Sequence, residues 1–387
     1  MRILHTSDWH LGRSFHREGL LDAQAGFVDH LVATVEAERV DLVVVSGDVY
    51  DRALPPVDAV ALADEAFTRL AASRAAVVVI SGNHDSARRL GFSSRLIDAA
   101  GVHLRTAADG CGTPVMLEDE HGPVAVYGIP YLEPEVLREP WQLAERSHTA
   151  VLTEAMRRVA GDVRRRPPGT RSVALAHAFV AGGSASDSER DISVGGVAMV
   201  PTSVFGGVDY AALGHLHGRH TLTDTVRYSG SPLAYSFSEA DHVKGSWLVE
   251  LDARGFHHAD FVEAPVPRRL ARVRGTLEAL LTDPAHADKE DCWVQAVVTD
   301  AVRPTQAMDR LRTRFPHTLI LSFEPSGGAP AGETARVPVT GRSDHEIVLD
   351  FFRDVRGTPA DDAEAALLLE ACDACRVAAD GDTLVGA

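Results

Sequence analysis

Leu42-Val43-Val44-Val45-Ser46-Gly47-Asp48 is a run of strand-forming apolar residues that stops on a glycine and a carboxylate. Other runs stop in the same manner. Ile3-Leu4 leads into Asp8-Trp9-His10, Val77-Val78-Val79-Ile80 into Gly82-Asn83-His84-Asp85, and Tyr210-Ala211-Ala212-Leu213 into Gly214-His215-Leu216-His217. Val173-Ala174-Leu175-Ala176 ends on His177 itself. Short unbroken aliphatic runs are the pattern of strands buried on both faces. Strands that all finish in carboxylate, amide or imidazole gather those groups at one sheet edge. In open α/β sheets the carboxyl edge is where ligands bind.

Between these runs the helical period appears. Leu20 to Arg39 places Phe27, Leu31 and Val35 on one face, Pro55-Pro56 introduces a helix reaching about Ala72, and a further helix is predicted from Ser86 to Ala100. This βαβαβ rhythm predicts a mainly parallel sheet with helices packed on it. The later strands, Val124 to Gly128, Thr225 to Ser229 and Gly245 to Leu251, are shorter and read as antiparallel. The fold class expected is α/β, a two-sheet sandwich flanked by helices over residues 1–265. A strand–helix–strand–helix–strand pattern at 268–323, with Trp293 to Thr299 and Thr318 to Phe323 as its clearest strands, predicts a small α/β domain. Pro325-Ser326-Gly327-Gly328-Ala329-Pro330 reads as part of a linker over 324–343. The remaining residues, 344–387, predict two helices, Asp344 to Val355 and Pro359 to Ala379.

Composition narrows the class. A chain of 387 residues, 45% hydrophobic, can bury a full core. No apolar run approaches the roughly 18 residues of a membrane span, so no membrane role is expected. Met1 to Asp8 reads as a core strand and not as a signal peptide, because its apolar stretch is short. The scattered cysteines, Cys111, Cys292, Cys372 and Cys375, are too few for a disulfide framework and point to a reducing cytoplasm. Cys372 and Cys375 read as two residues of one helix face. The net charge of −17 would repel a polyanion. Two divalent cations would offset only about four charges. A nucleic-acid substrate would therefore need a partner to supply part of the grip.

The chemistry lies in the strand-end groups. Asp8, His10, Asp48, Asn83, His177, His215 and His217 are hard or borderline donors, and their convergence reads as a two-metal hydrolytic centre. The Asp, His and Asn mixture suits Mn(II), Fe(II) or Zn(II) better than Ca(II). In Asp8-x-His10 and His215-x-His217, extended backbone would point both side chains the same way. Asp48, beside the turn glycine Gly47, is read as the bridging carboxylate. His84, next to Asn83 and followed by Asp85, is placed to donate a proton to a phosphate or leaving oxygen. The lone histidines His5, His30, His103, His121, His148 and His220 read as core or surface residues. Arg164 to Thr170 reads as a solvated helix end.

The set Asp8-x-His10, Gly47-Asp48-x-x-Asp51, Gly82-Asn83-His84-Asp85, His177 and Gly214-His215-x-His217 resembles the calcineurin-like metallophosphoesterases. Within them, Ser7 to Gly12, Ser186-Asp187-Ser188-Glu189-Arg190, Ala212 to His217 and Tyr228-Ser229-Gly230-Ser231-Pro232-Leu233 are similar to the nuclease subunits of bacterial SbcCD complexes. By that resemblance Asp8, His10, Asp48 and His217 hold one metal, most often Mn2+. Asp48, Asn83, His177 and His215 hold the other, and His84 is the catalytic histidine. Related nucleases carry a histidine where this chain has Asp51, so Asp51 and Asp85 are expected behind the ligands. The resemblance implies a double-stranded DNA exonuclease and single-stranded DNA endonuclease acting at ends or hairpins in repair, recombination and replication. It also implies a capping domain at 268–323, C-terminal helices docked on the SMC-like coiled-coil ATPase SbcC, and a nucleoid-associated cytoplasmic setting. A homodimer formed through the helices near Pro56 to Ala72 and Ser86 to Ala100 is expected too, with Leu62, Phe67 and Leu96 as candidate contacts.

Two other readings compete. Gly47-Asp48-Val49-Tyr50-Asp51-Arg52 is similar to protein phosphatases, which would make the chain a phosphatase or phosphodiesterase for a small molecule or phosphoprotein. Those enzymes usually carry glutamate where Asp85 stands. A structural subunit with a dead site is the third reading, and the intact donor set argues against it.

Overall fold

The computed structural model describes residues 1–190, 199–326 and 342–382. One sheet runs edge to edge through Gly255–Glu263, Gly245–Asp252, Arg2–Thr6, Leu42–Ser46, Ala76–Ile80 and Val102–Arg105. Its last four strands are parallel, and the first two form an antiparallel hairpin against Arg2–Thr6. The other sheet runs through His220–Thr221, Val226–Tyr228, Tyr210–Gly214, Arg171–His177, Gly122–Ile129 and Val115–Asp119.

Alternation along each strand sorts side chains between two layers of core. Ile3, Leu42, Val44, Val78 and Ile80 meet Val124, Val126, Val173, Leu175 and Ala212 from the second sheet. The other faces carry Leu4, Val43, Val45, Val77 and Val79, which pack under the helices Leu21–Ala37 and Val57–Ala71 through Phe27, Leu31, Val35, Leu62 and Leu70. Helix His148–Val163 covers the second sheet through Val151, Leu152, Ala155 and Val159. The strands are apolar on both faces because both are covered. Each fully buried valine contributes roughly 1.5–3 kcal/mol relative to exposure.

Two sequence expectations need correction. Ser86 to Ala100 is not one helix but two single turns, Ala87–Leu90 and Ser94–Ile97, followed by the 3-10 turn Asp98–Ala100. Gly91 ends the first turn and Ser93 sits at φ 59°, which breaks the helical run. The later strands are only partly antiparallel. Gly122–Ile129 is parallel to Arg171–His177, and Val226–Tyr228 is parallel to Tyr210–Gly214. Both also carry an antiparallel neighbour on their other side. Of the candidate dimer contacts, Leu62 is buried and Phe67 packs on the same core, whereas Leu96 is 78% exposed.

Leu270–Gly275, Trp293–Val298 and Thr318–Phe323 form a parallel three-stranded sheet with its own core around Val273, Leu280, Val294, Leu311 and Phe315. Leu270, Trp293 and Ile320 also pack against a cluster of Phe15, Leu20, Leu233, Tyr235 and Phe237. Met1–Glu324 make one compact unit and Pro325–Ala387 a second. Within the second unit, helix Asp344–Arg356 opens with a capping box between Ser343 and Glu346, and a second helix spans Asp362–Asp382. Arg356 pairs with Glu364, and His345 Nε2 meets the Ala365 carbonyl at 3.1 Å. Most of the expected linker, residues 327–341, lies outside the described residues. No helix among the described residues is long and apolar enough to cross a membrane.

Candidate metal centre

Parallel strands from both sheets end at one edge, and the loops that follow them interlock. Asp8 N donates to the Gly47 carbonyl at 3.0 Å, His10 N to Asp48 at 2.9 Å and Leu11 N to Val49 at 2.9 Å. The Asp8 carboxylate accepts from Ser7 Oγ at 2.6 Å and from His215 N at 3.1 Å. His84 N donates to Asp48 Oδ1 at 2.8 Å. These loops approach closely because glycine stands at the crossings. Gly47 has φ +91°, and a Cβ there would lie 2.5 Å from His177 Nδ1. A Cβ on Gly82 would collide with the Asp48 carboxylate.

The backbone here is not extended. Asp8, His10 and Asp48 have φ of 53°, 46° and 50°, and His215 has 109°. The i, i+2 alternation therefore does not explain why Asp8 and His10 converge. A tight left-handed loop brings them together, and left-handed backbone of this kind in non-glycine residues clusters at functional sites.

All the expected donors meet in one buried cluster. Asp8, His10 and His217 are close enough to hold one ion, as are Asp8, Asp48 and His177, and His10, Asp48 and His84. Asp48 Oδ2 is central, 3.5 Å from His177 Nε2, 3.7 Å from His10 Nε2 and 4.0 Å from His84 Nε2. On one side of it, His10 Nε2 and His217 Nε2 face each other at 3.0 Å. On the other, Asn83 Oδ1 lies 2.8 Å from His177 Nε2 and 3.2 Å from His215 Nδ1.

Tautomers show that cations fit. His177 Nδ1 donates to the Ser46 carbonyl at 2.9 Å, so in the neutral ring Nε2 holds only a lone pair. That lone pair points at the Asn83 oxygen, another acceptor. A divalent cation held by both removes the conflict, as would a proton on the ring or an amide turned to present its N–H. Burial opposes that proton, but Asp48 and Asp8 outweigh it and push His177 up to about 9. Burial likewise pushes Asp8 up to about 6 against His177 and His217, and drives His10 and His215 well below the usual imidazole range. Carboxylates and imidazoles packed this tightly lack a counter-charge that divalent cations would supply.

His84 and the two expected supporting carboxylates behave differently from one another. His84 Nδ1 donates to the backbone carbonyl of Asp51 at 2.7 Å, not to a carboxylate. Burial lowers its pKa while Asp48 and the Asp51 carbonyl resist. The Asp51 carboxylate instead lies 3.6 Å from Arg13 Nη1 and 4.0 Å from His10 Nδ1. Asp85 turns away from His84 and accepts from Val49 N, Tyr50 N and Gly82 N at 2.9–3.1 Å, tying two of the loops together. His5 is a satisfied core residue between Tyr210 Oη and the Leu213 carbonyl.

Several groups behind the centre escape a sequence reading. Gln24 Nε2 donates to the His10 carbonyl at 2.8 Å, and Tyr235 Oη donates to the Trp9 carbonyl at 2.5 Å. Ser188, Glu189, Glu239 and Lys244 surround His217. Ser188 and Glu189 lie in a motif that stood out, but Glu239 and Lys244 sit in a polar stretch with no pattern to mark them.

Residues 1–219 match the family model of the calcineurin-like phosphoesterases. Residues 266–356 match the SbcD C-terminal family, described as the type 5 capsule protein repressor C-terminal domain. Among solved structures, a Thermus thermophilus protein is 14% identical, with 68% of this chain and 98% of that chain covered at a TM-score of 0.39. A novel archaeal phosphodiesterase is 11% identical, covering 68% and 100% at a TM-score of 0.30. An anchor protein of the inner membrane complex of Plasmodium is 10% identical, covering 85% and 98% at 0.38.

Proposed function

We propose a two-metal DNA nuclease, and the premise is membership: the chain belongs to the calcineurin-like phosphoesterase family and carries the C-terminal domain of SbcD-type nuclease subunits. The family and the Asp/His cluster make it a hydrolytic enzyme that uses divalent metal. The observation that carries the two-metal reading is the pair of donor groups sharing Asp48, and the match at residues 266–356 supports a nuclease over a phosphatase. Asp8, His10, Asp48 and His217 would hold one ion, and Asp48, Asn83, His177 and His215 the other.

Two bound divalent cations supply Lewis acidity toward the phosphate and a water of near-neutral pKa. The chain's own residues do the rest. Asp48, anchored by His84 N, keeps both donor groups at one spacing. Because the Asp51 carbonyl fixes the His84 Nδ1 proton, Nε2 is bare in the neutral ring, and it would give a proton to the leaving oxygen only from the imidazolium, which the nearby Asp48 carboxylate favours. Ser46 holds the His177 ring through Nδ1, which keeps Nε2 beside Asn83 Oδ1, where both would face the same ion.

The substrate in this reading is DNA, cut as a double-stranded exonuclease and single-stranded endonuclease at ends or hairpins, with Mn2+ as the working ion. The SMC-like ATPase SbcC would supply the basic DNA grip that a chain of charge −17 lacks. A homodimer and a nucleoid-associated cytoplasmic setting complete it, and the exposed pair Phe92 and Leu96, 77% and 78% accessible, supports a dimer surface. The test is Mn-dependent digestion of linear double-stranded DNA, with and without the ATPase and ATP, beside a panel of phosphomonoesters. Turnover of phosphomonoesters alone would assign the chain to the phosphatase reading.

A further inference from the structure

His217 is held at every polar atom except one. Its backbone N–H donates to Glu189 Oε1 at 2.7 Å, and its carbonyl accepts from Lys244 Nζ at 2.9 Å. Its Nδ1 lies 2.6 Å from Ser188 Oγ. Ser188 Oγ in turn donates to Glu239 Oε1, which accepts and cannot donate when ionised. The hydroxyl proton is therefore committed to Glu239, and Ser188 Oγ receives the proton of His217 Nδ1. Nε2 is left bare, facing His10 Nε2 at 3.0 Å.

The cost of this arrangement suggests that it has a purpose. The side chains of Glu239 and Lys244 are 0% and 2% exposed and pair at 2.5 Å. Lys244 also donates to Ser231 Oγ at 3.0 Å, so the ammonium is satisfied without water. Buried ion pairs are often no better for stability than an apolar pair of the same volume. The Lys244 ammonium lies directly against Glu239 Oε2, so the carboxylate has its counter-charge inside the protein. The carboxylate is thus a fixed negative charge at the far end of a hydroxyl–imidazole chain that ends in the metal centre. Carboxylates behind a ligating imidazole fix its tautomer and raise its basicity.

We propose that Glu239, held by Lys244 and acting through Ser188, is a positioning residue that locks His217 with its Nε2 lone pair toward the ion it shares with His10. The inference rests on His217 being a ligand, as proposed above. Of the two ions, only the one held by His10 and His217 depends on this chain of groups.

The test is a Mn2+ titration of the metal-free full-length protein by calorimetry, with elemental analysis of the loaded form and the melting temperature of the metal-free form. The parent should bind two ions, and a parent that binds none would overturn the metal-centre reading itself. Ser188→Ala and Glu239→Gln should each weaken one of the two ions by about 10–100-fold and leave the other unchanged. Ser188→Thr, which restores the hydroxyl, should recover the parent affinity. Ser188→Ala is small enough to keep the fold if Glu239→Gln does not. Ser188→Ala titrating like the parent would overturn the proposal, as would Ser188→Thr remaining as weak as Ser188→Ala.

Discussion

At Asp48 one carboxylate would serve both proposed donor groups: its Oδ2 lies within 4.0 Å of imidazole nitrogens from His10, His84 and His177. Asp48→Asn should therefore lower the content of both ions by elemental analysis, whereas His10→Ala should empty mainly one. Equal losses in the two variants would remove Asp48 from the bridging role. His84 is a different case, since its ring is anchored through Nδ1 and its backbone N–H supports Asp48. His84→Gln keeps polarity and approximate size but carries no exchangeable imidazole proton. Metal content should hold while DNA cleavage falls by about 10²–10⁴. A variant that loses its metal along with activity would make His84 a ligand, a role its distance to His10 and Asp48 also permits.

The elements show which parts of this fold a sequence reveals. Parallel strands buried on both faces leave unbroken runs such as Leu42 to Val45, and the groups that follow them share one edge by topology alone. That is why the fold and the donor set are legible. The helix expected at Ser86 to Ala100 was misread because its apolar spacing continues across Gly91-Phe92-Ser93, where the backbone turns left-handed. The convergence of Asp8 and His10 follows from positive φ that no spacing rule encodes. Glu239 and Lys244 look like loop charges until folding buries them. The turn glycine gives a prediction at this scale. Gly47→Ala must hold a Cβ at φ +91°, 2.5 Å from His177 Nδ1. The left-handed backbone alone costs about 1–2 kcal/mol, and His177 must move as well. Thermal melting should show the loss, and metal content should fall with it. An unchanged melting temperature with full metal occupancy would mean that the crossing loops are looser than their contacts imply.

For the whole molecule, the question is what the C-terminal unit contributes. The buried apolar residues end at Phe315, so among the described residues the helices Asp344–Arg356 and Asp362–Asp382 add nothing to the fully buried core. They are amphipathic nonetheless, and large apolar side chains remain in solvent: Phe351 at 66%, Val355 at 71%, Leu367 at 66% and Leu369 at 44%. The first of the two helices also lies inside the matched SbcD-type region, which ends at residue 356. Apolar anchors on a helix that its own unit does not cover suit a helix-in-groove contact, which in the proposed assembly is with the base of the coiled-coil ATPase. Truncation after Gly341 should then leave a soluble protein that keeps both ions and cuts short DNA with Mn2+. Co-purification with the ATPase should fall by at least about tenfold, equivalent to roughly 1.4 kcal/mol of binding. Retention of the partner at full yield would place the docking surface on Met1–Glu324 instead. Loss of metal or solubility on truncation would mean that the helices support the catalytic unit directly.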